Sequence, residues 1–469
     1  MADDPSEYTG GTIEADHLCV LVHGLWGNPN HMRNVAKALR AKHPADRVNI
    51  LCAKRNSGSF TYDGIELGGE RLCLEIEEEL RAIEQRGGRI AKLSVVGYSL
   101  GGLVARYAIG LLYAKGVLDG LECNNFTAFA SPFIGVRTPL HGWANNAWNV
   151  LGARTLSMSG RQLFCIDKFR DTGRPLLSVL ADTNSIFIKG LAKFRRRTLY
   201  SNIQNDRSAV YYTTCITKTD PYTDLTKVRV NYVEGYEDVI LDPVHPVEHI
   251  PPHSWKKDTF SEKLNKNLYR VPFVVALAVF VPIGIVAFLI NSAIQTVRSS
   301  KRIALHENGE AGIDISEYRV PVLLNEIRGA VEDAYEGLNS SQHQEYLGSS
   351  SDDESDSSDP EAETSATAPL ISVASQSVVL DKARARRASE RNILRHERKQ
   401  SQPGQPTLAL APHQFEMITA LDSVGWRKYP VYIHNNRHSH AAIIVRIDKE
   451  SHSEGHIVLK HWLNEEFLV

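Results

Sequence analysis

"VVGYSLGGLVARY", residues 95–107, is the stretch from which the rest of the chain can be read. The β-branched run "KLSVVG" leads into Gly97-Tyr98-Ser99-Leu100-Gly101, and the apolar helical pattern "LGGLVARYAIGLLYAKG" follows at once. This is G-x-S-x-G in the context that gives the motif meaning. Small residues let a strand turn sharply into a helix, so the serine between them stands exposed at the bend. A turn that merely contains a serine needs neither the strand before it nor the helix after it. Ser99 is therefore the candidate nucleophile. A serine hydroxyl at its ordinary acidity attacks poorly, so the pattern also demands a general base, an acid to orient it, and two N–H donors for the oxyanion.

The surrounding sequence alternates strand and helix. "HLCVLVHG" (17–24) reads as a buried strand, "NPNHMRNVAKALRAKHP" as a helix and "RVNILCAKRN" as a second strand; a helix through "LGGERLCLEIEEELRAIEQRGG" leads to the elbow. Another strand, "NFTAFASP", comes after it. Continuous apolar strands separated by helical periods predict an α/β fold with a mostly parallel central sheet covered by helices. Residues 133 to about 195 are irregular and rich in Trp, Arg and Leu, and read as a cap region over a pocket.

Composition excludes several classes. The chain has 469 residues, 42% hydrophobic and 23% charged, with a formal net charge of −2, so no basic excess points to nucleic acid. Six cysteines are scattered without metal-ligand or C-x-x-C spacing and read as reduced thiols. The first residues, "MADDPSEYTGG", are acidic and polar, unlike a secretory signal.

Two features interrupt the later chain. Residues 271–290, "VPFVVALAVFVPIGIVAFLI", hold no charge and no hydrogen-bonding side chain, and twenty such residues match the ~30 Å of a hydrocarbon layer. Residues 261–300 therefore read as a hydrophobic, membrane-associating insertion, followed by a connecting helical region over 301–337. Residues 338–411 read as a disordered linker, acidic and serine-rich in "SSSDDESDSSDPEAETSATAP" and basic in "DKARARRASERNILRHERKQ", with Ser389 as a candidate phosphorylation site. The basic part has a second reading, as a helix on an anionic surface. Residues 1–14 read as a flexible N-terminus, 15–260 as the first part of the core and 412–469 as its last part.

The remaining parts of the site are sought in the chain order Ser, acid, His. The strand in "TLYSNIQNDRSAVYYTT" ends in Asn205-Asp206, which makes Asp206 the acid ahead of Asp220 and Asp224 in turn-rich "KTDPYTD". Two clusters offer the base: His245, His249 and His253 in "DPVHPVEHIPPHSW", and His434, His438 and His440 in "IHNNRHSHAAIIVR". His440, directly before the short apolar helix "AAIIVR", fits best, with His438 second. The oxyanion donors are the backbone N–H of Leu100, after the nucleophile, and of Leu25, in the loop "LVHGLWGNP". His23 in that loop reads as a fixing residue rather than the base.

At this point the chain resembles the eukaryotic serine esterases, a branch of the α/β-hydrolase lipases, and within them the fungal lipid-droplet phospholipases. The resemblance rests on "HLCVLVHGLWGNP", "YDGIELGGERLCLEI", "VVGYSLGGLVARYAIG", "FTAFASPFIGVR", "SNIQNDRSAVYYT" and "SHAAIIVR", over roughly residues 15–225 and 415–465. It implies a lipase or phospholipase with Ser99, Asp206 and His440 as triad, no metal and no organic cofactor. It also implies a phospholipid or glyceride substrate met at a lipid droplet, or at the cytosolic face of the endoplasmic reticulum membrane. Two positions depart from the family: Phe133 where a His usually follows "ASP", and Ala209-Val210 where Val-Pro is usual. A thioesterase acting on acyl-proteins or acyl-CoA would use the same triad, and a catalytically idle membrane tether would need none of it. Because Ser99 and Asp206 precede residues 271–290 and His440 follows them, the sequence predicts a shallow re-entrant insertion with both ends on one side, helped by Pro272, Pro282 and Gly284.

Overall fold

The structure, a computed structural model, describes residues 5–137, 157–206, 208–250, 290, 292–309, 388–401 and 406–469. Six strands form one sheet: β1 His17–Val22, β2 Val48–Cys52, β3 Lys92–Tyr98, β4 Glu122–Phe129, β5 Arg196–Asn202 and β8 Arg427–Val431. Their order is β2-β1-β3-β4-β5-β8 and every pairing is parallel. The expected parallel α/β sheet is thus present, and its last strand comes from the far end of the sequence. A small antiparallel ribbon pairs β6 Val228–Val230 with β7 Val247–His249.

Parallel strands are buried on both faces, and the side chains of these strands divide accordingly. Leu18, Val20 and Val22 of β1, with Leu93 and Val95 of β3, face α2 (Ile65–Gln85) and α3 (Leu100–Ala114). Cys19 and Leu21, with Val96 and Tyr98, face the opposite layer. That layer comprises α1 (Arg33–Lys42) and the C-terminal helix Glu454–His461 with Trp462. The period-two alternation sorts one strand's residues into two cores. All six cysteines are buried and none is in a disulfide, as expected of reduced thiols.

Three regions differ from their sequence reading. Within the stretch expected to cap the site, the helices Leu176–Ala181 and Ile186–Ala192 lie in the crossover from β4 to β5. Leu176, Leu180, Phe187 and Leu191 are buried in the same core as α3, so apolar demand packs these two helices into that core. The expectation of a linker as far as residue 411 is corrected at its end, where residues 388–400 are helical. Ile393 and Leu394 pack against the main core, and Glu397, with its side chain buried, pairs with Lys218 at 2.6 Å. Leu408 and Leu410 are buried as well. Finally, residues 292–307 are helical and dock on the α2 side of the molecule through Arg302 and His306. The apolar stretch before them, residues 271–289, lies outside the described residues, as do 310–387. Among the described residues no helix is long and apolar enough to cross a membrane.

Candidate active site

The bend between β3 and α3 is as sharp as the motif requires. Ser99 sits at φ 55°, ψ −128°, a conformation that L-residues avoid and that the packing around it must hold. A Cβ on Gly97 would come within 2.4 Å of the Gly102 Cα, so glycine there is a condition of the turn. The loop after β1 runs against the same point. A Cβ on Gly24 would stand 2.7 Å from the Ser99 Cβ and 3.2 Å from its Oγ. Leu25, the next residue, is therefore carried past the serine, and Leu100 opens the helix on its other side.

Three side chains from distant parts of the chain meet at this bend. His440 Nε2 lies 2.9 Å from Ser99 Oγ, and His440 Nδ1 lies 2.8 Å from Asp206 Oδ2. A carboxylate only accepts, so Nδ1 carries the imidazole proton and Nε2 is left with its lone pair toward the serine hydroxyl. Asp206 is held just as firmly. Its Oδ1 accepts from the backbone N–H groups of Ser208 at 3.0 Å and Ala209 at 2.8 Å, and its Oδ2 accepts from Asn202 Nδ2 at 3.0 Å. Only 1% of the Asp206 side chain is exposed, against 15% for His440, so the acid is hidden and the base is reachable.

Three residues that the sequence reading missed complete the support. Tyr98 OH donates to the His440 carbonyl oxygen at 2.9 Å, and its ring lies 5.1 Å from the imidazole. Burial pushes that phenol above its ordinary range, so it remains a donor. Ser439 Oγ donates to Gln204 O at 2.7 Å, tying the histidine's helix to the acid's loop. Asn202, at the end of β5, is the third. Its only sequence signal was its place four residues before Asp206.

The rival candidates lie elsewhere. Asp220 accepts from Tyr222 N at 3.0 Å, and Asp224 accepts from Thr226 and pairs with Lys227 at 3.1 Å, so both close local turns. His245 and His249 are exposed at the small ribbon, and His253 lies outside the described residues. His434 pairs with Glu454, and His438 is exposed. His440 lies inside the short helix Ser439–Ala442 rather than just ahead of one. His23 is buried, donates from Nδ1 to Gly24 O at 3.1 Å, and is held below its ordinary pKa by burial. It packs on the loop as a neutral ring.

With the bend and its partners in place, the sequence relationships can be read. Residues 12–219 match the family described as "Putative serine esterase (DUF676)". That stretch includes Ser99 and Asp206, whereas His440 lies beyond it. Two Saccharomyces cerevisiae proteins of related sequence are described as lipases. "Putative lipase YDL109C" is 29% identical over 250 residues, covering 51% of this chain and 36% of the relative. "Putative lipase ROG1" is 30% identical over 216 residues, covering 45% and 30%. The chain thus spans about a third of the length of these relatives. Among solved structures, phospholipase PlaB from Legionella pneumophila in complex with thio-NAD is similar at 14% identity. It covers 42% of this chain and 41% of that one with a TM-score of 0.27, too low to carry any argument. The α/β-hydrolase fold rests on the parallel sheet and the elbow.

Proposed function

We propose that this protein hydrolyses acyl esters of lipids, phospholipid or glyceride, through an acyl-enzyme on Ser99. The observation that carries the reading is the line Ser99 Oγ–His440–Asp206, with contacts of 2.9 and 2.8 Å. In this mechanism Ser99 Oγ attacks the ester carbonyl carbon while its proton passes to His440 Nε2. The carbonyl oxygen becomes an oxyanion held by the N–H groups of Leu25 and Leu100. Asp206 keeps the imidazole in the tautomer that can accept, and stabilises the imidazolium once formed. The C–O bond to the leaving alcohol then breaks as His440 returns the proton to it. Water repeats the sequence against the acyl-enzyme: its proton goes to His440, its oxygen to the acyl carbon, and Ser99 leaves reprotonated. The products are a fatty acid and an alcohol, and no step calls for a metal or a cofactor.

Lipid esters are the favoured substrates because residues 271–290 are uncharged and apolar, which suits attachment to a membrane or a lipid droplet. An enzyme held at such a surface meets insoluble esters without extracting them. Purified protein should release fatty acid from phospholipid vesicles or glyceride emulsions faster than from acyl-CoA, and Ser99→Ala should release none. Faster turnover of acyl-CoA would make it a thioesterase, and activity surviving in Ser99→Ala would remove the serine from the mechanism.

A further inference from the structure

A surface helix ordinarily buries an apolar stripe and shows charge to solvent. Helical residues 292–307 are turned the other way. Their inward face is polar: Ser292, Ser299 and His306 are buried. Ser299 Oγ donates to Tyr62 O at 3.3 Å, and Arg302 donates twice to Asp63, from Nε at 2.8 Å and Nη2 at 2.7 Å. His306 Nε2 meets Glu70 Oε2. The outward face carries an apolar stripe. Ile290, Ile294, Val297 and Leu305 are 58%, 46%, 57% and 46% exposed, and with Lys301 between them they recur every three or four residues along one side.

The helix that carries this stripe rests on the segment beside the site. The Arg302 guanidinium lies 5.0 Å from the centre of the Phe60 ring, and Phe60 is itself 42% exposed. Tyr62, which accepts from Ser299, also accepts at its hydroxyl from Trp26 Nε1 at 2.7 Å. Trp26 is 52% exposed and directly follows Leu25, in the loop that presses on Ser99. Of the ten large hydrophobic side chains most exposed among the described residues, six gather here, which scattered surface apolarity would not produce.

Resting on the lipid-ester reading above, we propose that Ile290, Ile294, Val297 and Leu305, with Trp26 and Phe60, lie in the headgroup layer of a phospholipid surface and open the mouth beside Ser99 onto it. Two things select lipid as the occupant. The chain runs into Ile290 from nineteen uncharged apolar residues, so the segment leading into the stripe already suits hydrocarbon. Arg298 and Lys301, both exposed, stand on the same helix where lipid phosphates would lie. The contacts of Arg302 with Asp63, and of His306 with Glu70, then fix the angle at which the site meets the surface.

The six native cysteines are buried, so a single introduced one can be labelled selectively. Full-length Ile294→Cys and Val297→Cys would carry an environment-sensitive fluorophore, with Val244→Cys, at a position 72% exposed in the native chain, as remote control. Phosphatidylcholine vesicles should shift the emission at 294 and 297 to the blue and raise it about twofold, leaving 244 unchanged. The double variant Ile294→Asp, Val297→Asp should bind vesicles roughly tenfold more weakly, yet hydrolyse a soluble short-chain ester within about twofold of the parent. The proposal is overturned if the labels stay in water while the protein sediments with vesicles, or if the protein does not bind vesicles. A blue shift that appears without lipid as protein concentration rises would also overturn it, by assigning the stripe to a second copy. Failure of the lipid-ester reading is seen separately, as a parent protein that hydrolyses neither the soluble ester nor vesicle lipid.

Discussion

Ser99 and His440 stand 341 residues apart in the chain and 2.9 Å apart in the fold. β8 makes this possible by joining the sheet beside β5, which brings the late segment back to the C-terminal ends of the strands, where β3 ends in the elbow.

If these residues act as a unit, removing either should be about equally damaging. Ser99→Ala and His440→Ala should each lower kcat on a soluble ester by roughly 10⁴-fold or more, and the double variant should be little worse. Asp206→Asn should cost roughly 10⁴-fold by favouring the wrong imidazole tautomer. His438→Ala should stay within a few-fold of the parent. Steady-state kinetics on the five variants checks this, and an inactive His438→Ala would move the base by two residues.

The elbow stores strain at Ser99, whose φ of 55° suits glycine better than serine. Ser99→Gly should therefore abolish activity while stabilising the fold by about 1 kcal/mol, a rise of a few degrees in Tm. A Tm below that of Ser99→Ala would show that the turn is not strained at this residue.

Acid should loosen the fold through its buried imidazoles. Burial pulls both His17 and His461 down to about 4, against 6.5 in the open chain. Between these values the unfolded chain holds more protons, so stability rises with pH. Their contribution is complete above about pH 6.5 and is lost as pH falls through 4. Asp167 and Asp220, raised to about 6 by burial, oppose it, being most stabilising when protonated and losing that contribution as pH rises through 6. The difference in Tm between about pH 7 and about pH 5 should shrink in His17→Asn and in His461→Asn. An unchanged difference in both would contradict this assignment.

Asp63 is fully buried at its side chain and receives both Arg71, at 2.9 Å, and Arg302. Asp63→Asn leaves two guanidinium groups without their carboxylate and should cost about 3 kcal/mol. Denaturant unfolding measures the loss, and hydrogen exchange should show residues 292–307 exposed first. A change within experimental error would mean that solvent already screens the pair.

What the sequence disclosed follows from how local each signal was. The elbow is written in five contiguous residues, Gly97 to Gly101, and the parallel sheet in apolar runs that need no partner to be recognised. Asp206 and His440 were each reached through chain order and position after a strand or before a helix, because nothing in their spacing encodes a 2.8 Å contact across 234 residues. The inverted helix was illegible for the same reason. Arg302 and His306 look like a solvated face until Asp63 and Glu70, 239 and 236 residues earlier, are seen beneath them. A helix at 388–400 is one of the two readings of the basic stretch, but its docking on the core is not legible there, since two apolar residues, Ile393 and Leu394, are enough to dock it.

The central claim is that Ser99 is a nucleophile activated by His440. Treatment of the full-length protein with a fluorophosphonate, followed by mass spectrometry of its peptides, tests this directly. A single adduct on Ser99 is expected, with labelling lost in Ser99→Ala and slowed by orders of magnitude in His440→Ala. An adduct on another residue, or labelling of Ser99 at the parent rate in His440→Ala, would contradict it.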